Sequence, residues 1–302
     1  MGFFKKNLFS YDTFYLTYDE PNKFERFKEI QKLIPNILHI DGIKGFDKAH
    51  KVCAEQSQTT RLVIIDGDNS FIMPPNKLQL SKNLLESNYV LSYSSVNSIN
   101  GLVYGNGGIK SWPRELLLNL KSHEESKNQQ DAVDFCFTVP YYQIAATPTV
   151  SLVNLTPKQA FRAGYREGIK MCLNKGLPIQ YLKGGVEVDQ LIAKSNFFRL
   201  KNWCELGRDT HNGIWAIFGA RKGALDLLSQ THQFECIRDY DWFEKNWLNE
   251  YCSLDPEQHS IVCARELRDN FNFHLEEISS DHSHRLKMLL ENPKREGPMY
   301  CY

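Results

Sequence analysis

The stretch RLVIIDGDNSFIMPP, Arg61 to Pro75, runs from a continuous apolar segment into two carboxylates one residue apart. A β-branched run such as LVII reads as a strand buried on both faces, as in the interior of a parallel sheet. Asp66 and Asp68 follow its carboxyl end, with Gly67 between them to permit a tight turn. Ligands of open α/β sheets bind beyond the carboxyl ends of strands. Two carboxylates this close repel unless a positive charge offsets them, and their hard oxygens suit Mg2+ or Mn2+. The bland alternative is a D-G turn in which Asp68 merely caps the next segment.

Around this stretch, strand-like and helix-like pieces alternate. YDTFYLTY (11–18), NILHIDGI (36–43) and YVLSYSSVN (89–97) read as strands. EPNKFERFKEIQKLIP (20–35) has Phe24, Phe27, Ile30, Leu33 and Ile34 at helical spacing. GFDKAHKVCAEQS (45–57) and PNKLQLSKNLLES (75–87) also read as helices. GLVYGNGGIKSWPRELLLNL (101–120) reads as a glycine-rich turn followed by a helix that Pro113 starts. From residue 156 onward the pieces are helical: TPKQAFRAGYREGIKMCLN, KGGVEVDQLIAKSNFFRLKNWCELG, GIWAIFGARKGALDLLSQT and DYDWFEKNWLNEY. The pattern predicts an α/β fold with a mainly parallel sheet flanked by helices and a helical C-terminal half. The expected division is residues 1–155 and 156–302, the second part packed on the first in one continuous globular unit.

The 302 residues are 42% hydrophobic and carry 36 basic and 36 acidic side chains, so net charge singles out no partner. The split is uneven. Residues 155–226 hold 12 Lys/Arg against 6 Asp/Glu, whereas residues 234–302 hold 8 against 14. An anionic ligand would meet the middle of the chain. The eight cysteines form no C-x-x-C and no zinc spacing, a pattern that suits a reducing cytoplasm. No apolar run is long enough for a signal peptide or a membrane span.

Other residues carry chemistry by type and place. Gly105, Gly107 and Gly108 in YGNGGIKSW leave backbone amides open to a sugar or phosphate, and Asn106 offers an amide that both donates and accepts. A glycine-rich hairpin before a helix cap is the plain reading of the same turn. In DAVDF, Asp131 reads as a helix cap, while Asp134, between Val133 and Phe135, is the candidate general base for an acceptor hydroxyl. His211, before Asn212-Gly213 at a helix start, would complete a metal shell or serve as a cap. Arg221 and Lys222 would neutralise a diphosphate or a DNA backbone, or compensate a helix dipole. Trp203, Phe197 and Phe198 read as core aromatics before they read as base-stacking ones.

Four stretches together carry a resemblance: LVIIDGDNSFI, VYGNGGIKSWPRELL, TPKQAFRAGYREGIKM and LGRDTHNGIWAIFGARKGA, in that order over residues 60–225. The chain resembles the glycosyltransferases that accompany base oxygenases in phages and kinetoplastids. These are metal-dependent enzymes of the two-layer α/β GT-A-type fold that add sugars to hydroxymethylpyrimidines in DNA. The resemblance implies that Asp66 and Asp68 bind Mn2+ or Mg2+ and a nucleotide-sugar diphosphate, and that the Gly107-Gly108 turn lines the donor-sugar pocket. The expected roles are residues 1–155 as the nucleotide-sugar-binding α/β region and 156–302 as the helical acceptor or support region, while the resemblance itself carries nothing over to the first 50 residues or to the acidic tail. It also implies a UDP sugar and DNA containing 5-hydroxymethylcytosine as partners, no membrane, and the bacterial host cytoplasm for a phage-encoded enzyme. Beside it stand a non-enzymatic reading, a DNA- or nucleotide-binding module using the basic middle of the chain, and two enzymatic rivals. One is a haloacid-dehalogenase-type phosphatase using Asp66 as nucleophile, because IIDGDNS approaches that motif. The other is a transferase of the same fold acting on a glycan or protein.

Overall fold

In the computed structural model, residues 5–104, 107–131, 133–179, 188–231, 234–292 and 296–299 are described. Six strands of four or more residues build the main sheet: β1 (Asp12–Thr17), β2 (Leu38–Asp41), β3 (Arg61–Asp66), β4 (Val90–Asn97), β5 (Ile109–Pro113) and β6 (Tyr141–Ser151). Their order is β6-β4-β5-β3-β1-β2. β2, β1 and β3 pair in parallel, as do β4 and β6, while β5 is antiparallel to both of its neighbours. Five strands therefore share one direction and β5 alone is reversed. A short strand, Gly297–Met299, joins the outer edge of β6 antiparallel.

Side chains alternate across the sheet, and each face packs against one of the two long helices of this unit. Tyr15, Val63, Ile65, Leu91 and Ile109 pack with Ile30 of helix α1 (Lys23–Leu33). Phe14, Leu62, Ile64, Val90 and Trp112 pack with Cys53 and Ala54 of helix α2 (Phe46–Gln56). The fold is thus mixed α/β with a mostly parallel sheet and flanking helices, as the alternating pattern predicts. Two local expectations fail. PNKLQLSKNLLES is not one helix: Pro75–Lys77 is a 3-10 turn, Gln79–Ser81 is a strand paired with Lys5–Asn7, and only Lys82–Leu85 is α-helical, capped by the Ser81 hydroxyl. The second fails only before Pro113: IKSWP is the reversed strand β5, inserted between β3 and β4, and the expected helix follows it at Arg114–Leu118 with Pro113 as its N-cap.

The chain divides into two compact units. One holds Met1–Asn97, Val103–Leu152 and Asn292–Tyr302, and the other holds Ser98–Leu102 and Val153–Glu291. The second unit is helical: α3 (Pro157–Met171), α4 (Lys194–Glu205), α5 (Gly213–Leu228), a short helix Tyr240–Asn246, α6 (Pro256–Phe271) and α7 (Ser280–Leu289). Thr156 caps α3 by accepting the Gln159 amide, with Pro157 at the first helical position. Among the described residues no helix is long and apolar enough to cross a membrane.

α3 and α5 lie backbone to backbone. Gly164 and Gly168 on α3 face Ala216 and Ala220 on α5, and Gly219 and Gly223 on α5 face Phe161 and Tyr165 on α3. A Cβ at any of these four positions would overlap a carbonyl oxygen of the opposing helix. Tyr165 then donates its hydroxyl to Asp226 at 2.8 Å inside this interface. Gly168→Val is expected to destabilise the helical unit by about 2 kcal/mol or more, since overpacking at backbone contact cannot relax by a rotamer change. Urea unfolding checks it, and an unchanged midpoint would contradict the close approach.

Candidate active site

The chain leaves β1 toward β2 on one side, whereas β3 leads through β5 and β4 to β6 on the other. The order of the sheet reverses between β1 and β3, the place where open α/β sheets form a ligand crevice. Leu16 pairs opposite Asp66 there. Asp66 is the last residue of β3, and Gly67 and Asp68 turn away from it. A Cβ on Gly67 would lie 2.7 Å from the Thr17 methyl and 2.9 Å from the Glu20 carboxyl carbon, so glycine is required by space. The Gly67 carbonyl accepts the Tyr15 hydroxyl at 2.7 Å and the buried Arg26 guanidinium at 3.3 Å, which fixes the turn from below.

The positive charge that the acidic pair demands belongs to the chain itself. Lys110 on β5 is 5% exposed, and its ammonium lies 3.0 Å from Asp66 Oδ2 and 3.0 Å from the Gly107 carbonyl. Asp66 Oδ1 has no hydrogen bond among the described residues, and its side chain is 37% exposed. Asp68 accepts the Asn69 amide on Oδ1 at 2.6 Å and the Ser151 hydroxyl on Oδ2 at 3.4 Å. Burial raises the Asp68 pKa above the usual carboxylate value. The neighbouring Asp66 adds to that rise, and the Asn69 bond, Lys110 and Arg26 oppose it.

A third carboxyl lies at the same corner. Glu20 follows the end of β1, touches the Gly67 position, and accepts the Tyr18 amide at 2.6 Å. Burial pushes its pKa up to about 7, with Asp68 and Asp19 adding to the rise against the hydrogen-bonding amides of Tyr18 and Glu20. Glu20 was not singled out from the sequence. The rule that selected Asp66 also selects it, because both acids follow the carboxyl end of a buried strand.

The other expected site residues fall elsewhere. Asp134 caps the short turn Phe135–Phe137 by accepting the Cys136 amide. Phe135 packs on Trp112 at 4.9 Å and on Tyr141, at the opposite end of the sheet. Trp112 pairs with Leu62, four residues or roughly 13 Å along the strand before Asp66, which puts Asp134 toward the end of β3 away from the acidic turn. It cannot act on an acceptor held there. Gly107 and Gly108 are buried, and the space beside them is filled by the chain's own atoms. A Cβ on Gly107 would overlap the Tyr93 carbonyl, and one on Gly108 would overlap the Asn69 amide. They seat a turn against β4 rather than open a pocket. Asn106 lies outside the described residues.

Arg221, Lys222 and His211 belong to the helical unit. Arg221 is fully buried on α5 and donates to the carbonyls of Cys204 and Ser260 and to Glu277. Lys222 pairs with Asp226 one turn along. Both side chains are spent on the interior of that unit. His211 is exposed, and its backbone carbonyl accepts the Asn154 amide at 2.9 Å. Among the described residues no group of three or more His, Cys, Asp or Glu side chains is placed to hold a metal ion. Trp203 is 2% exposed and is a core residue, as its plainer reading has it. The acidic pair itself fits a hard divalent cation, for Mg2+ and Mn2+ are commonly held by one or two carboxylates and complete their shell with water and phosphate.

No protein-family model matches the chain, and no curated protein sequence matches it. Among solved structures it is similar to the mannosyltransferase PcManGT from Pyrobaculum calidifontis, in complex with GDP-Man and Mn2+. The identity is 12%, the match covers 88% of this chain and 90% of that one, and the TM-score is 0.36.

Two outcomes test this geometry. Glu20 binds its proton more tightly folded than unfolded, so its contribution to stability is full below about pH 4.5 and is lost as pH rises toward about 7. Glu20→Gln should remove a fall of about 1 kcal/mol or more over that window, measured by urea unfolding of metal-free protein at pH 4.5, 6 and 7.5. An identical pH slope in the variant would refute the burial of this carboxyl. Gly108→Ala should cost about 1–3 kcal/mol by displacing the Asn69 amide. A neutral substitution would show that the turn is not packed in this way.

Proposed function

We propose that the chain transfers a sugar from a nucleoside diphosphate sugar, with UDP as the first candidate, to a hydroxyl acceptor. The observation that carries this reading is the Asp66-Gly67-Asp68 turn at the carboxyl end of β3, beside the reversal of strand order. That corner is where a diphosphate held through a hard cation would sit. The acceptor, 5-hydroxymethylcytosine in DNA, rests on the likeness of the four stretches between residues 60 and 225. The 5-position of the base faces the major groove, so a duplex need not be opened to reach it.

Asp66 Oδ1 and the Asp68 carboxylate would hold Mn2+ or Mg2+. A bound divalent ion supplies a Lewis acid for the leaving diphosphate. The chain's own residues prepare the corner. Tyr15 and Arg26 hold the Gly67 carbonyl, and Asn69 and Ser151 orient Asp68. Preorganised charge of this kind costs no rearrangement when the leaving group takes up its negative charge. Glu20, whose pKa of about 7 suits a group exchanging a proton near neutrality, takes the acceptor-hydroxyl role in place of Asp134.

The decisive experiment supplies Mn2+, a panel of UDP and other nucleotide sugars, and DNA with and without hydroxymethylcytosine, followed by nucleoside mass spectrometry. Added hexose or pentose mass on hydroxymethylcytosine supports the full proposal. Release of the nucleoside diphosphate without a DNA product retains the donor half and discards the acceptor. Phosphate released from a simple ester, with nucleotide sugars untouched, favours the phosphatase reading. Asp68→Asn should lower sugar-nucleotide turnover by about 100-fold or more while leaving the thermal midpoint near wild type.

A further inference from the structure

Lys110 is an unusual occupant of its position. It lies on the reversed strand inside the sheet, paired opposite Ile64 on β3 and Ser92 on β4. Its side chain is 7% exposed, and its ammonium has two partners among the described residues, Asp66 Oδ2 and the Gly107 carbonyl. His50, fully buried nearby on α2, adds no second charge at neutral pH, because burial pushes its pKa down to about 4. A buried ammonium persists only with a counter-charge, and Asp66 is that counter-charge.

We propose that Lys110 is a resident counter-cation that sets the metal affinity of the acidic pair, occupying one oxygen of Asp66 and opposing a second positive charge beside it. The inference rests on the reading of Asp66 and Asp68 as a divalent-cation site. With Lys110 in place, Asp66 already faces an ammonium and Asp68 feels both Lys110 and Arg26, with the Glu20 carboxyl beside Gly67, so a free dication gains less there than it would from the acids alone. A dication that arrives with a nucleoside diphosphate brings its own negative charge and is opposed far less. Lys110 thus makes the corner selective for the metal–diphosphate complex over the metal alone. The ammonium also keeps the acids in position when no metal is bound, because it replaces part of the charge that a dication would supply.

The test is direct Mn2+ binding, followed by the electron paramagnetic resonance of free Mn2+ on full-length protein, with and without UDP. Lys110→Met should bind Mn2+ about tenfold tighter or more than wild type in the absence of nucleotide, and should lose most of the improvement that UDP confers on wild type. Lys110→Gln serves as a second neutral variant should the methionine fold poorly, and Lys110→Arg, which keeps the charge, should bind within about twofold of wild type. In the double variant Lys110→Met, Asp66→Asn the gain should vanish. Equal Mn2+ affinity in wild type and both neutral variants, with binding measurable, overturns the role of Lys110 and leaves the metal site standing. A gain that survives in the double variant overturns it too, since Asp66 would then not be the residue concerned. Absence of Mn2+ binding in every form, with or without UDP, removes the metal site itself and the inference with it.

Discussion

A lysine inside a sheet must find a carboxylate within reach, and the reach of Lys110 to Asp66 ties two turns into one structure. The ammonium touches Asp66 on one side and the Gly107 carbonyl on the other. The Asp66 amide in turn donates to the Gly108 carbonyl at 2.8 Å. Gly108 packs on Asn69, and Asn69 holds Asp68. The acidic turn after β3 and the glycine turn before β5 are therefore a single hydrogen-bonded body, and the position of each carboxylate follows from the reversed strand that carries Lys110.

The same coupling explains what could be read from residues alone. The strands β1, β2, β3 and β4 and the helices α1 and α2 are announced by local periodicity, and the chain folds as that periodicity requires. The acidic turn is visible because it follows a buried run. β5 is hidden because its pattern is broken by Lys110, a charged residue at a buried place that only the later contact with Asp66 justifies. Glu20 is hidden for a similar reason: its environment is made by Gly67, 47 residues away. Asp134 shows the converse error. A carboxylate between apolar neighbours looks poised for chemistry, yet those neighbours anchor it at the amino-terminal end of the sheet.

The helical unit teaches a further point about distinctive sequence. AFRAGYREG and NGIWAIFGAR look chemical because nothing generic demands them. What demands them is contact between two helix backbones, where each glycine on one helix admits a carbonyl of the other. Arg221 belongs to this economy as well. It sits fully buried, bridging α4, α6 and Glu277, with Glu277 in turn paired to Arg208. Charge that seemed available to a diphosphate is committed to joining helices.

The strand Gly297–Met299 lies at the edge of β6, although the whole helical unit separates the two in the chain. As a ribosome releases the polypeptide from its amino end, the sheet stands without that edge until residues 153–291 have followed β6 out. The edge of β6 is meanwhile open to any passing extended peptide. The interval between synthesis of β6 and of Gly297–Met299 sets how long that edge stays open to its neighbours.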